Sequence, residues 1–488
     1  MKTNPMQHQK KALVAMEGKR NFALLAEQGT GKTWITIADT ERAFLANKIN
    51  ALMVIAPNGV HTNWVRREIP THISVPVLMY VWRGKPTSKK AIAELRNFME
   101  KKFPDGREPL RVFAINVEAT NSPGGYNAAE EFVQSFRCIG VVDESTRIKN
   151  PNAKRTQKVI ALGRFCVARR ILTGTPMPKA PTDLYSQYDF LKEGILGTYS
   201  YRAFVVQYAV LHDKDSPQMQ ALMRKVGGKG AHAQLVQEDD AGNPMWRNLD
   251  QLRDLIAPHS FRVRKADCLD LPPKVYKAIY FEMTSKQRAV YDKLKEDYHY
   301  EHDGDDLSFE AIATRTKLKQ VTSGFINIYG EPQLMGPEDN PRMAALKELF
   351  DIVDGQIIIW AMFAEEIRQI MEALSDAGIS AVAYYGATSR EDREQAIDDF
   401  QAGKITAFVG HAAAAGIGIT LTAAETAVYY SCSHDNELRK QSEDRNHRIG
   451  TKGTVTYYDL VAEDSIDEEI IRSLAAKTAV ADYVIDSK

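Results

Sequence analysis

The sequence predicts an α/β protein of two lobes, each built on a doubly wound parallel sheet, with a helical insertion between them. Three observations carry this expectation. Apolar runs of strand length alternate with helical patterns from Phe22 to Leu191, and strands buried on both faces by covering helices read as such runs. The pattern breaks from about Tyr199 to Leu252, where His212-Asp213-Lys214-Asp215, Gly227-Gly228-Lys229-Gly230 and Gln237-Glu238-Asp239-Asp240 are polar or glycine-rich; this predicts an inserted helical or partly mobile element. The alternation resumes at Gln356-Ile357-Ile358-Ile359-Trp360. The expected boundaries are 1–198 for the first lobe, 199–270 for the insertion and linker, and 271–488 for the second lobe with a C-terminal helix.

The first strand is Phe22 to Leu25, followed by Ala26-Glu27-Gln28-Gly29-Thr30-Gly31-Lys32-Thr33 and a helix that begins near Trp34. Strand, glycine-rich turn, Gly-Lys-Thr and helix together make a phosphate-binding loop. The turn's N–H groups and the positive helix end face a triphosphate. Gln28, Gly29, Thr30 and Gly31 form the cradle, Lys32 reaches the β and γ phosphates, and the Thr33 hydroxyl ligates Mg²⁺. Upstream, the amide of Gln9 is of the type that pairs with both edge atoms of adenine.

Ala51 to Ala56 is a second strand, ending in Pro57-Asn58-Gly59, and Arg111 to Asn116 is a third. Loops at strand ends are where ligands meet parallel sheets. The residues after Pro57, namely His61, Asn63, Trp64, Arg66 and Arg67, read equally well as a solvated helix start. Cys138 to Val142 is an apolar strand that delivers Asp143 and Glu144 at its C-terminal end. Asp143 is suited to holding Mg²⁺ and Glu144 to orienting the attacking water. Arg170 to Leu172 leads into Thr173-Gly174-Thr175-Pro176, whose hydroxyls are placed to sense the γ-phosphate.

In the second lobe, Gln356 to Trp360, Ala381 to Gly386 and Thr406 to Gly410 read as strands, with a helix starting near Phe363 and another near Thr388-Ser389. No second Gly-Lys-Thr turn occurs, so a second triphosphate site of this kind is not expected. Arg445 and Arg448 lie three apart in Gln441-Ser442-Glu443-Asp444-Arg445-Asn446-His447-Arg448-Ile449-Gly450. On a continuous helix they share one face, an arrangement suited to a phosphate fork.

Composition narrows the partners. Lys+Arg and Asp+Glu both number 63, so a nucleic-acid site has to be a local basic surface and not a polycationic tail. The four cysteines form no Cys-x-x-Cys pair, which fits a reducing compartment and argues against a zinc site. The polar start of the chain has no signal-peptide core, and the Ala/Gly-rich stretch from Ile405 to Tyr430 is expected to be buried strand and loop, not a membrane span. The expected location is the cytoplasm.

Taken together, these motifs resemble a superfamily-two helicase motor, most closely the Swi/Snf-type branch of ATP-dependent DNA translocases. The resemblance rests on Gln9, residues 26–33, Asp143-Glu144-Ser145-Thr146, Leu172 to Pro176, Gly416-Ile417-Gly418-Ile419-Thr420-Leu421-Thr422 and residues 441–450. His447-Arg448-Ile449-Gly450 is its sharpest element. It implies two recombinase-A-like lobes with ATP between them, Gly416 and Gly418 beside the nucleotide, and Arg445 and Arg448 completing the site, Arg448 as the finger. It further implies double-stranded DNA, branched DNA included, touched by Pro57, Asn58, Asn116, Phe363, Gly386, Ala387, Thr388 and Thr420. Departures are Ala26-Glu27-Gln28 in place of Asp-Glu-Met, Met177-Pro178-Lys179 where the family has an Asn, and His434-Asp435-Asn436 near the usual Trp-Asn-Pro. Without the second-lobe insertion and histone-reading flanks of chromatin remodellers, the nucleosome is not the expected substrate; a compact motor of a bacterial or phage-infected cell is. Rival readings are a strand-separating, annealing or branch-migrating helicase, an RNA motor, and a nucleotide-gated DNA-binding scaffold.

Overall fold

The computed structural model describes residues 1–102, 106, 108–213, 216, 236–239, 243–302, 309–328, 331–334, 340–386, 390–413 and 419–486. Contacts divide the chain into two units: unit 1 is Met1–Ala209, Trp246–Leu269 and Ala479–Lys488, and unit 2 is Val210–Met245 and Asp270–Thr478. The expected insertion at 199–270 is thus shared between the units, and the C-terminal segment from Ala479 goes with unit 1.

Unit 1 carries seven strands: β1 (Asn21–Ala26), β2 (Ala51–Ala56), β3 (Val77–Val81), β4 (Leu110–Asn116), β5 (Cys138–Asp143), β6 (Ala168–Leu172) and β7 (Ser260–Val263). They are ordered β3-β4-β2-β5-β6-β1-β7, and every pair is parallel. All C-terminal ends therefore lie along one edge. β1, β2, β4 and β5 are almost wholly buried, because helices cover both sheet faces. Separate apolar clusters fill the two faces: Met53, Phe113, Phe132 and Leu162 in one, Leu24, Val54, Val112 and Ile35 in the other.

β7 is a strand within the stretch expected to be linker. Its Phe261-Arg262-Val263-Arg264 context does not read as strand. The structure pairs Arg262 with Asp482 at 2.7 Å and Asp486 at 2.9 Å, and Arg264 with Asp486. Partners more than two hundred residues later neutralise it. A buried ion pair, Arg170 to Asp39 at 2.9 Å, fastens β6 to helix Lys32–Leu45, and the other guanidinium hydrogens go to the carbonyls of Lys19, Arg20 and Arg169. With its donors satisfied, this charge is tolerated in the interior.

Unit 2 holds β8 (Lys274–Phe281), the antiparallel pair β9 (Phe325–Ile328) and β10 (Glu331–Leu334), then β11 (Ile357–Ala361), β12 (Ala381–Tyr384), β13 (Ala407–His411), β14 (Thr426–Tyr429) and β15 (Val455–Ala462). Its main sheet runs β12-β13-β11-β14-β15-β8, again all parallel. Helix Ala364–Asp376 follows β11, and its buried Glu366 accepts from the N–H groups of Met362 and Phe363 at 2.8 and 3.0 Å, so the carboxylate caps the helix start. Among the described residues no helix is long and apolar enough to cross a membrane.

Candidate nucleotide site and its surroundings

The phosphate-binding loop leaves β1 at Ala26. Gly29 and Gly31 have φ of 84° and 85°, the left-handed region that glycine reaches without steric cost. Thr30 closes the turn, donating both its N–H and its hydroxyl to Glu27 O at 3.3 and 2.7 Å. Helix Gln7–Ala15 braces the loop from outside. His8 Nε2 donates to Thr30 O at 2.7 Å, and a Cβ on Gly31 would meet Gln9 Nε2 at 2.2 Å. Gln9 Oε1 accepts from Met6 N–H at 2.8 Å. Gln9 is therefore buried against the loop with its oxygen engaged locally.

Lys32 Nζ stands 3.6 Å from Glu144 Oε1, and both groups are shielded. Asp143 is 5% exposed. One of its oxygens accepts from Trp64 Nε1 at 2.8 Å and the other from Glu144 N–H at 3.0 Å. Burial and the neighbouring Glu144 carboxylate push the Asp143 carboxyl up to about 6, against the opposing pull of Lys32 and Trp64. Each oxygen accepts one N–H and keeps further acceptor capacity. That donor set fits Mg²⁺, which binds through one or two carboxylates plus phosphates and not through an all-protein cage. Thr33, the other expected ligand, is half-buried in the first turn of its helix.

Glu144 has φ 49° and ψ 59°. A non-glycine residue in this region stores strain that its surroundings must hold. Here Arg147 N–H donates to Glu144 O at 3.0 Å, and the buried Ser145 hydroxyl donates to Gln187 Oε1 at 2.6 Å. After β6, Gly174 lies against the phosphate loop: a Cβ there would sit 3.1 Å from Glu27 Cα. Thr173 is fully buried and its hydroxyl accepts from Thr175 N–H at 3.1 Å, so it serves the turn itself.

Two participants escaped the sequence reading. In sequence Trp64 reads equally well as part of a solvated helix start, yet it is 1% exposed and bonded to Asp143. A π-type turn, Trp64–Glu68, sits between helical segments Val60–Asn63 and Ile69–His72, and Pro70 stands at the start of the second. His61 is also buried, and burial holds its imidazole below the usual range; Arg66 and Arg67 are exposed as that reading expected. Gln187 is the second. The signal available for Trp64 was only that a buried indole N–H needs an acceptor.

Of the expected DNA contacts in unit 1, Pro57 and Asn58 follow β2, and Asn116 ends β4 with its amide oxygen accepting from Ala119 N–H at 2.6 Å. In unit 2, Phe363 packs edge-on against Phe325, ring centroids 5.6 Å apart, and Gly386 is exposed at the end of β12. All five lie at C-terminal strand ends. Ala387, Thr388, Gly416 and Gly418 fall outside the described residues.

The arginine stretch differs from expectation. Helix Asn436–Asn446 ends before Arg448, with His447 at φ −105° and ψ 82°, so Arg445 and Arg448 do not share a helical face. The helix stops because Thr451 folds the chain back, its hydroxyl bonded to Asn446 O and to Arg448 N–H. Arg445 is 1% exposed, with Nε donating to Gln441 O at 2.9 Å and Nη1 to Ile419 O at 3.4 Å. Arg448 is half-buried and donates to Thr420 Oγ1 at 3.0 Å. Glu443, two residues before Arg445, is structural. It accepts from Lys274 Nζ, Tyr276 OH and Arg439 Nε, each at 2.8 Å.

A family profile described as the SNF2-related domain matches residues 8–333, and one described as the helicase conserved C-terminal domain matches residues 341–450. The chain belongs to the SNF2-related helicase family. Among its relatives is an uncharacterized ATP-dependent helicase of Mycoplasma pneumoniae, 26% identical over 96% of this chain and 41% of that protein. Another is the ATP-dependent helicase FUN30 of Saccharomyces cerevisiae, 23% identical over 97% of this chain and 45% of that protein. The chain thus spans under half the length of these relatives. A solved structure described as the Sulfolobus solfataricus SWI2/SNF2 ATPase core in complex with dsDNA aligns over 100% of this chain and 98% of its own, at 20% identity and a TM-score of 0.40.

Proposed function

We propose that this SNF2-related chain hydrolyses ATP to move along double-stranded DNA. The observation that carries the reading is the approach of Lys32 to Glu144 across a phosphate loop, beside an Asp143 carboxylate with acceptor capacity to spare.

The chemistry follows from these groups. The loop's N–H groups and Lys32 bind the β and γ phosphates. Thr33 and Asp143 would hold Mg²⁺, which when bound neutralises charge on the phosphate oxygens. Arrival of the γ-phosphate gives Lys32 a stronger anion than Glu144. The released carboxylate then orients water for in-line attack on the γ-phosphorus and accepts its proton, while the bond from that phosphorus to the β–γ bridging oxygen breaks and ADP leaves. Arg448, held in unit 2 by one described side-chain bond to Thr420, supplies charge to the γ-phosphoryl group as it transfers. Arg445, locked to Gln441 and Ile419, positions that loop. Polar loops at the C-terminal strand ends of both units grip backbone phosphates, which gives tracking without base reading.

The test is the ATPase rate with double-stranded DNA, forked DNA, single-stranded DNA, RNA and no nucleic acid, run beside triplex displacement and fork unwinding. Stimulation by duplex DNA with triplex displacement and no unwinding is the expected result. An ATPase rate indifferent to every nucleic acid at low salt refutes the motor. Unwinding without triplex displacement shifts the assignment to a strand-separating helicase.

A further inference from the structure

Gln187 lies in helix Leu184–Leu191 among Leu184, Tyr188 and Leu191, and is 0% exposed. A buried amide is costly unless all its hydrogen-bonding groups are used. Gln187 uses them in one place. Its Oε1 accepts from Ser145 Oγ at 2.6 Å, and its Nε2 donates to Pro176 O at 2.8 Å and to Asp183 O, in its own helix, at 2.7 Å. Ser145 follows the strained Glu144, and Pro176 ends the loop after β6, whose Gly174 presses on the phosphate loop. β5 and β6 are neighbours in the sheet. One side chain therefore bonds the loop that carries Glu144 and the loop after β6 that packs against the phosphate loop.

We infer that Gln187 is a positioning residue: it holds the turn that aims Glu144 and ties that turn to the Thr173–Pro176 loop. A left-handed non-glycine residue persists only while its neighbours over-determine it; the Asp143 carboxylate holds the Glu144 N–H, and the Ser145 hydroxyl ties the next residue to helix Leu184–Leu191. With the tether cut, residues 144–146 relax and the carboxylate drifts from the water it orients. A displacement of about 1 Å costs about 100-fold in rate. Phosphate binding survives, because Gln187 touches neither the phosphate loop nor Lys32 through any of these bonds. The inference rests on the ATP-hydrolysis reading only for its kinetic readout.

The experiment compares Gln187→Met, Ser145→Ala and the double variant with the unaltered chain. Three quantities are measured: nucleotide affinity, turnover at saturating nucleotide and duplex DNA, and hydrogen exchange of the Arg147 and Lys149 amides, which close the turn onto Glu144 O and Thr146 O. Each single variant is expected to bind nucleotide within about threefold of wild type, to turn over about 10- to 100-fold more slowly, and to exchange those amides about tenfold faster, the loss expected from one hydrogen bond. The double variant should lose no more than the worse single one. Unchanged turn protection, or turnover reduced only as far as the folded fraction, overturns the inference. So does a double variant whose losses multiply. If Gln187→Met fails to fold, Ser145→Ala removes the same bond from the other end and decides alone. If wild type hydrolyses no ATP, the proposed function falls while the exchange comparison still decides the tether.

Discussion

Glu443 permits a prediction whose size follows from its surroundings. It is 4% exposed. Burial alone would raise its carboxyl, but Lys274 and Arg439 outweigh burial and hold it down at about 2, from an ordinary 4.5. A tenfold change in proton affinity is worth about 1.4 kcal/mol, so ionised Glu443 contributes about 3 kcal/mol to the stability of unit 2. The sign is fixed by the lowered value: the contribution is complete above pH 4.5 and is lost as pH falls toward 2. Glu443→Gln removes the ionised form and leaves Lys274 without its carboxylate partner while Arg439 keeps Asp459, a change that also costs about 3 kcal/mol or more. The assay is urea unfolding followed by pulse-labelled hydrogen exchange of peptides covering β14 and helix Asn436–Asn446, at pH 7.5, 4.5 and 3. The expected gap between variant and wild type is about 3 kcal/mol at pH 7.5, smaller by pH 3. A gap below about 1 kcal/mol, or one that stays constant with pH, refutes the reasoning, since a single net hydrogen bond would then account for it.

Three further outcomes are expected. Glu144→Gln should bind Mg-ATP and hydrolyse it about 100-fold or more slowly, and phosphate release with duplex DNA at near wild-type rate would remove Glu144 from its role. Arg448→Ala should keep most nucleotide affinity while turnover falls about 1,000-fold, with Arg448→Lys recovering little because an ammonium lacks the guanidinium fork; normal turnover would remove Arg448 from that role. Asp143, pushed up to about 6 from 3.8, makes the ligand-free protein less stable as pH rises between those values, so moving from pH 7.5 to 4 should shift the stability gap between Asp143→Asn and wild type by up to about 3 kcal/mol in favour of wild type, and a gap that does not move in thermal melts would contradict the assigned burial.

Much of the fold was legible because doubly covered parallel strands leave unbroken apolar runs. β1, β2, β4, β5 and β11 are such runs. β7 and β8 were not legible as strands. β7 carries arginines whose acidic partners lie near the end of the chain, and β8 is an edge strand with Tyr276 and Tyr280 more than half exposed. The site followed the same division. Lys32, Asp143 and Glu144 are marked by local context, each at a strand end with its turn. Trp64 and Gln187 act across 79 and 42 residues, so only the folded sheet reveals what they touch. The helix bearing Arg445 was read one turn too long, because the bonds from Thr451 that end it come from beyond the motif.

The late arrival of β7 bears on how the chain is made. In the finished sheet β1 lies between β6 and β7. During synthesis from the N-terminus, β1 to β6 emerge first, and until residues 260–263 follow, the apolar strand Asn21–Ala26 that launches the phosphate loop is a bare sheet edge. Such an edge is a template for pairing with another chain. Even after β7 docks, Arg262 and Arg264 wait for Asp482 and Asp486, and Val484 and Ile485 have yet to enter the unit 1 core. Residues 270–478, the larger part of unit 2, are translated in that interval. The first unit to begin is thus the last to be completed, and its exposure to misassociation on the ribosome is set by the time needed to make the second.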